Sequence, residues 1–218
     1  MDIYESQKGY FQRAYQTGEH GWPVTGPSAF VVRFLKKFQS EKQSARLLDI
    51  GCGEGRHSGL FANAGYEAVG LDYQALALAR AARFFEGDRS RLHFVRGDVF
   101  HLPFVPVSFD VLIDYGCLHH VRRRDTQAYL KSVVPLLNPG GYFLLSCFSE
   151  HFKHHPDEVR TRDWLVHDGH YDRFFRRDSF KHIFGKDFEI LEIEEEREDL
   201  YAFYHVLMRK NTATVSPA

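Results

Sequence analysis

Leu47-Leu48-Asp49-Ile50-Gly51-Cys52-Gly53-Glu54-Gly55 is the stretch that decides the fold of this chain. An apolar run ends at an acidic residue and passes directly into a loop with three glycines. Glycine has no Cβ, so such a loop accepts left-handed backbone and lets the main chain approach a ligand closely. Residues 56–64 read as a helix whose first N–H groups face the same ligand. Strand, glycine loop and helix together make a nucleotide-type cofactor site. A dinucleotide fingerprint would be Gly-x-Gly-x-x-Gly, but here Arg56 stands where its third glycine belongs. Asp49, just before the loop, repels a pyrophosphate and attracts a ligand that carries cationic groups.

The segments downstream repeat the pattern. Tyr66 to Asp72 is a short strand ending in an acid. Its carboxylate falls about 20 residues past the glycines, where it can accept ribose hydroxyls. Asp72 also suits the N-cap of a helix over 74–85. Leu92–Arg96 reads as a third strand, followed by Gly97-Asp98-Val99, and Phe109–Asp114 as a fourth that ends in another acid. A helix over 125–137 is expected to stop at Pro139, with Asn138-Pro139-Gly140-Gly141 turning into a fifth strand, Tyr142–Cys147. Another helix is expected near 28–38. Strands alternating with helices mean a parallel sheet covered on both faces. Two further strands, Phe188–Ile193 and Tyr201–Met208, have no helix between them and read as a hairpin. Ligands of open α/β sheets bind outside the carboxyl ends of the strands, where strand order reverses. Asp49, Gly51, Gly53, Gly55, Asp72, Asp98 and Asp114 should therefore line one crevice.

Taken in this order and spacing over residues 46–148, the motifs resemble those of the class I S-adenosylmethionine (SAM)-dependent methyltransferases. The first motif of that family reads Asp/Glu-x-Gly-x-Gly-x-Gly, and residues 49–55 match every fixed position. The resemblance implies a doubly wound, Rossmann-like α/β fold. Its sheet has seven strands, mostly parallel, in the order 3-2-1-4-5-7-6 with the last strand antiparallel. It implies SAM as cofactor and S-adenosylhomocysteine as product. The glycine loop, Cys52 included, would surround the methionine part, while Asp49 holds the loop and favours the cation. Asp72 with Tyr73 would bind the ribose and Asp98 with Val99 the adenine. Asp114 and Tyr115 would border the transferred methyl group. A narrower similarity, to thiopurine and tellurite-resistance methyltransferases, rests on Trp22, on Phe109-Asp110-x-x-x-Asp114 and on Phe203–Lys210. It leaves sulfur, selenium and tellurium nucleophiles open beside oxygen, nitrogen and carbon.

Composition narrows the function classes. The 218 residues carry a net charge of −1, the size of one domain and no bulk field to draw nucleic acid. No run approaches the ~20 apolar residues of a membrane span. The start, Met-Asp-Ile-Tyr-Glu, lacks an apolar signal core. Cys52, Cys117 and Cys147 are scattered and read as reduced thiols, which suggests the cytoplasm. The expected partner is a small-molecule methyl acceptor, and nothing in the sequence sets an oligomeric state. Within a single domain, residues 1–40 read as a helical lid and 41–148 as the SAM-binding core. Residues 149–186 read as an insertion over the substrate and 187–210 as the terminal hairpin.

His119 and His120, after the fourth strand, are the candidate catalytic residues, with Asp114 beside them. Methyl transfer is an in-line displacement whose leaving group needs no acid, but an O–H or N–H nucleophile needs a base. Packing on a helix start is the alternative role for either histidine. The His151-x-x-His154-His155 run has near-helical spacing but no paired cysteines, and is read as no metal site. Two other functions stay open on sequence alone. One is a SAM-binding regulatory module without chemistry, and the other is an NAD-linked oxidoreductase.

Overall fold

The computed structural model describes residues 2–18, 22 and 26–212. Helices α1 (Ile3–Thr17) and α2 (Ala29–Glu41) precede the sheet. There follow β1 (Arg46–Ile50), α3 (Arg56–Asn63), β2 (Glu67–Asp72), α4 (Ala75–Phe84), β3 (Leu92–Arg96) and β4 (Phe109–Tyr115). After these come α5 (Thr126–Val133), β5 (Leu137–Phe148), a hairpin of β6 (Trp164–His167) and β7 (His170–Arg173), α6 (Ser179–Phe184), β8 (Phe188–Glu198) and β9 (Tyr201–Lys210). The main sheet has seven strands in the order β3-β2-β1-β4-β5-β9-β8. Strands β1 to β5 are parallel, and β9 runs antiparallel to both β5 and β8. This is the expected order, with the terminal hairpin supplying the last two positions. No helix among the described residues is long and apolar enough to cross a membrane.

Pleating sorts the strand side chains onto two buried faces. Leu47, Val111, Ile113 and Leu144 pack with Phe30, Phe34 and Phe38 of α2. Their neighbours Leu48, Ile50, Leu112 and Leu145 face the other way, onto Tyr129, Leu130 and Val133 of α5 and Phe180 and Phe184 of α6. Both sides of the sheet are therefore closed. The carboxyl ends of β1 and β4 are left at the reversal of strand order.

Two segments depart from the sequence reading. Helix α5 stops at Val133, and the turn Val134–Leu136 contains Pro135, so Pro139 is not what ends it. The fifth strand starts at Leu137 rather than Tyr142, and Asn138–Gly141 form a bulge inside it, where β4 pairing jumps from Phe109↔Leu137 to Val111↔Tyr142. Gly140, at φ 74°, supplies the left-handed residue. Asp110 holds the bulge by accepting from the Asn138 amide at 3.0 Å. The second departure lies in the insertion. It leaves the sheet at Phe148 and returns at Phe175, whose N–H donates to the Phe148 carbonyl at 2.8 Å. Residues beyond that point, including Phe180 and Phe184, are core rather than cover. Within the insertion, Asp168 and Gly169 both have positive φ (49° and 84°), the backbone of a tight hairpin turn joining β6 to β7.

Candidate active site

The site begins at the end of β1. Asp49 is 1% exposed, and its Oδ2 accepts from both the Ser58 N–H (3.0 Å) and the Ser58 hydroxyl (2.6 Å). This pins the first turn of α3 to the strand. Burial pushes the Asp49 carboxyl up to about 6, against those two hydrogen bonds. Between strand and helix, Gly51, Gly53 and Gly55 all have positive φ. Gly53 has a neighbour that decides its size: a Cβ there would stand 2.9 Å from the Tyr15 hydroxyl of α1.

Asp72, at the end of β2, ties this loop to the next. One carboxylate oxygen accepts the Gly53 N–H at 2.9 Å, and the other accepts the Gln74 N–H at 2.7 Å. A carboxylate offers about four lone-pair positions, so the Asp72 carboxylate keeps acceptor capacity toward the cavity it lines. Burial raises its pKa. Asp98, after β3, accepts the Phe100 N–H at 3.0 Å and lies 3.7 Å from Lys8 Nζ. Asp49, Asp72 and Asp98 thus put three carboxylates along one cavity of about 1150 Å³. Gly51, Cys52, Gly53, Tyr73, Val99 and Tyr115 line it too. The wall around the glycine loop suits an adenosine ligand with a cationic end: a carboxylate acceptor, close backbone and acidic side chains are all present.

Two expected members stand elsewhere. Gly55 caps α3 and is not on the cavity wall. Asp114 is 0% exposed and also absent from the wall. It accepts from the Cys117 and Leu118 N–H groups (2.8 and 3.2 Å) and from the Tyr129 hydroxyl (2.6 Å). Its place is therefore under the turn that carries His119 and His120, which it holds against α5. The reason is pleat parity. Asp114 pairs with Ile50 and shares the face of Leu112, whereas Asp49 pairs with Ile113.

His119 and His120 do reach the cavity. His119 lies flat on Phe148 with ring centroids 3.7 Å apart, and its Nδ1 accepts the Phe148 N–H at 3.2 Å. Its proton must therefore be on Nε2, which faces His120 Nε2 at 3.1 Å. Burial holds the His119 imidazole well below its ordinary range. His120 Nδ1 meets the Tyr171 carbonyl (3.1 Å) and an Asp172 oxygen (3.0 Å), so it carries the proton there. In this neutral chain every ring nitrogen of His119 and His120 has a partner.

Helix α1 roofs the cavity. Gln74 donates to the Lys8 carbonyl (2.7 Å) and Arg80 to the Tyr15 carbonyl (2.7 Å). Gln7 donates to the His120 carbonyl (3.2 Å) and accepts the Tyr171 N–H (3.1 Å), fastening the roof to the histidine turn and to β7. Trp22 packs with Phe11 and Tyr15. Residues 1, 19–21 and 23–25 of the expected lid lie outside the described residues.

A group that sequence reading left without a role closes the far wall. Asp172, fully buried, has His120, His154 and His170 nitrogens 3.0–3.1 Å from its oxygens, close but off the hydrogen-bond line. Burial, the largest single effect, pushes its carboxyl up, but the three imidazoles together outweigh it and hold the group far below the usual range. Asp168-Gly169 between two short runs was the available signal, because a turn of that kind puts His170 and Asp172 on one strand face. Among the described residues, donor atoms gather at metal-binding distance only at Glu150, His151 and Glu195. The Arg197 guanidinium already sits there, 2.8 Å from Glu195 Oε2.

His57 gives the site a pH signature. It is buried at the start of α3, accepts the Ser28 N–H at 3.2 Å, and is pushed down to about 3 by burial and by Arg56. The unfolded chain binds a proton below pH 6.5 that the folded chain refuses, so this group costs stability as pH falls through that value. His57→Gln should gain about 2 kcal/mol relative to wild type between pH 7 and pH 5. Urea unfolding at the two pH values measures this, and equal losses in both proteins would count against it.

A family model described as a methyltransferase domain matches residues 47–141, from β1 through the glycine loop to the bulge of β5. This chain belongs to the class I SAM-dependent methyltransferases. SAM is its cofactor and S-adenosylhomocysteine its product. An uncharacterized methyltransferase of Schizosaccharomyces pombe is 28% identical over 133 residues, covering 61% of this chain and 88% of the relative. A fatty-acid O-methyltransferase of Mycolicibacterium smegmatis is 32% identical over 110 residues, covering 49% of this chain and 38% of that enzyme. The Burkholderia thailandensis 1,6-didemethyltoxoflavin-N1-methyltransferase, solved with its acceptor and S-adenosylhomocysteine, superposes with a TM-score of 0.74 at 22% identity. The match covers 95% of this chain and 88% of that one.

Proposed function

We propose that this methyltransferase acts on a small-molecule acceptor. The observation that carries the reading is the size of the cavity. Its 1150 Å³ run from the glycine loop to the His119–His120 wall, beneath α1 and beside the β6–β7 hairpin of the same chain. Small-ligand pockets span roughly 300–1,000 Å³, so one cofactor and one modest acceptor fill the space. The net charge of −1 supplies no bulk attraction for nucleic acid. The bound acceptor in the Burkholderia enzyme, whose fold this chain shares, is a small molecule.

In this reading residues 1–40 form the lid and 41–148 the cofactor core. The insertion from 149 covers the acceptor, and 187–210 complete the sheet. Asp72 and Tyr73 bind the ribose, and Asp98 and Val99 the adenine. Gly51, Cys52 and Gly53 surround the methionine part, and Tyr115 borders the methyl group. Asp49 shapes the loop and adds to the negative rim. Asp114 acts one step removed, by holding the turn of His119 and His120 against the acceptor. Cys52, Cys117 and Cys147 are all free thiols, which suits a reducing compartment such as the cytoplasm.

The test is methyl-labelled SAM incubated with the enzyme and a cell extract that is then separated into small molecules, RNA and protein. Label is expected in the small-molecule fraction. Label confined to RNA or protein would overturn the acceptor class.

A further inference from the structure

His170 is the first residue of β7 and only 4% exposed, yet it lines the cavity. Its ring stacks on Tyr10 of α1 with centroids 3.9 Å apart. Its Nε2 lies 3.1 Å from Asp172 Oδ2. Two lone pairs would repel at that distance, so Nε2 carries the ring proton and Nδ1 is left bare. Nδ1 is buried and has no hydrogen-bond partner. A buried acceptor without a donor costs free energy unless something supplies one. The contrast with its neighbours is specific. His119 gives its proton to His120, and the lone pair of His120 is spent receiving it. His170 keeps an unspent basic nitrogen backed by a carboxylate.

We propose that His170, oriented by Asp172, is the catalytic base that takes the proton from the methyl acceptor. The proposal rests on the small-molecule reading above and names the acceptor class: a flat aromatic or heteroaromatic bearing an N–H or O–H. An aromatic acceptor matches the cavity wall, where the rings of Phe148, Phe152 and Phe203 meet beside His119. SAM supplies an electrophilic methyl group: the acceptor lone pair bonds to that carbon while the carbon–sulfur bond breaks and leaves its electron pair on a neutral thioether. The acceptor proton goes to His170 Nδ1. The positive charge lost by sulfur then reappears as an imidazolium beside the Asp172 carboxylate, and leaves to solvent as the product departs. An acceptor already ionised at neutral pH would need none of this. Asp172 is a positioning residue, fixing which nitrogen holds the proton.

The titratable groups around His170 are Tyr10 on α1, His120 after β4, His167 across the hairpin and Asp172 on β7, with His154 on the same carboxylate oxygen. The first readout needs no acceptor. NMR of isotope-labelled histidine at neutral pH, with His170 assigned by difference from His170→Gln, should show Nε2–H and a bare Nδ1. A proton on Nδ1 overturns the proposal. The second uses methyl-labelled SAM with a probe set of planar phenols, N–H heteroaromatics and an alkanethiol. Label is expected on the phenols or heteroaromatics. His170→Gln should lower kcat by about 10²–10⁴-fold and erase the rising limb of the kcat/KM–pH profile, while the Kd for S-adenosylhomocysteine stays unchanged. Wild-type kcat in that variant, or label on the thiol alone, overturns it. If no probe is labelled, the tautomer decides. Label in RNA or protein defeats the acceptor reading beneath the proposal, whereas the tautomer reports on the base independently.

Discussion

Replacing Asp72 by alanine weakens S-adenosylhomocysteine binding by about 10²–10⁴-fold while leaving the fold intact. Two interactions are lost in this result. The proposed ribose contacts are hydrogen bonds to a charged acceptor, each worth about 1.5–3 kcal/mol. Two of them give roughly 3–6 kcal/mol, or 10²–10⁴ in Kd. The same carboxylate accepts the Gly53 and Gln74 N–H groups, so its removal also loosens the loop that must present the backbone to the ligand. Stability changes less because two effects oppose each other. The two N–H groups lose an acceptor, but a carboxylate only 9% exposed, raised in pKa by burial, no longer has to be desolvated. Isothermal titration calorimetry with the homocysteine compound gives the affinity, and urea unfolding gives the fold control. An affinity within threefold of wild type would remove Asp72 from the ribose.

Gly55→Ala is expected to show the opposite balance, with a large loss of stability. Gly55 has φ 75° and caps α3. A left-handed non-glycine residue costs roughly 1–2 kcal/mol. A Cβ there would also lie 2.8 Å from two ring carbons of Phe94 and 3.2 Å from Ala81. Such overpacking costs typically about 1–3 kcal/mol. The sum of about 2–5 kcal/mol corresponds to a fall in Tm of roughly 4–20 °C for a chain of this length. Gly53→Ala provides the comparison. Its added Cβ meets only the far end of the Tyr15 side chain, so the roof yields and the core does not. A smaller fall in Tm with weakened cofactor binding is expected there. Equal Tm values for Gly55→Ala and wild type in thermal unfolding would mean that the loop does not need the left-handed residue.

The contrast between those two glycines shows where reading a sequence stops. Gly51, Gly53 and Gly55 were recognisable as a cofactor loop, because the need for positive φ acts within a few residues. Acidic residues at strand ends were equally plain, and so was the alternation of strand and helix. Each of these follows from short-range sterics and from periods of two or 3.6. The order of the last two strands came only through family resemblance. Hydropathy marks β8 and β9 as strands but does not say that β9 inserts beside β5. Asp114 shows the limit more sharply. Its place at the end of β4 is local, but the face it takes follows from its register opposite Ile50, and its three donors come from the following turn and from α5.

The acceptor wall is the most strongly tertiary part of the molecule. His120, His154, His170 and Asp172 span more than fifty positions of sequence and meet only because the insertion leaves at Phe148, turns at Asp168-Gly169 and returns at Phe175. Nothing in the spacing of those histidines announces a common carboxylate. The presence of a cofactor loop was legible in one stretch because a ligand's close approach to backbone demands glycine locally. The proposed base was not, because which imidazole nitrogen stays unpartnered depends on donors that distant segments bring together.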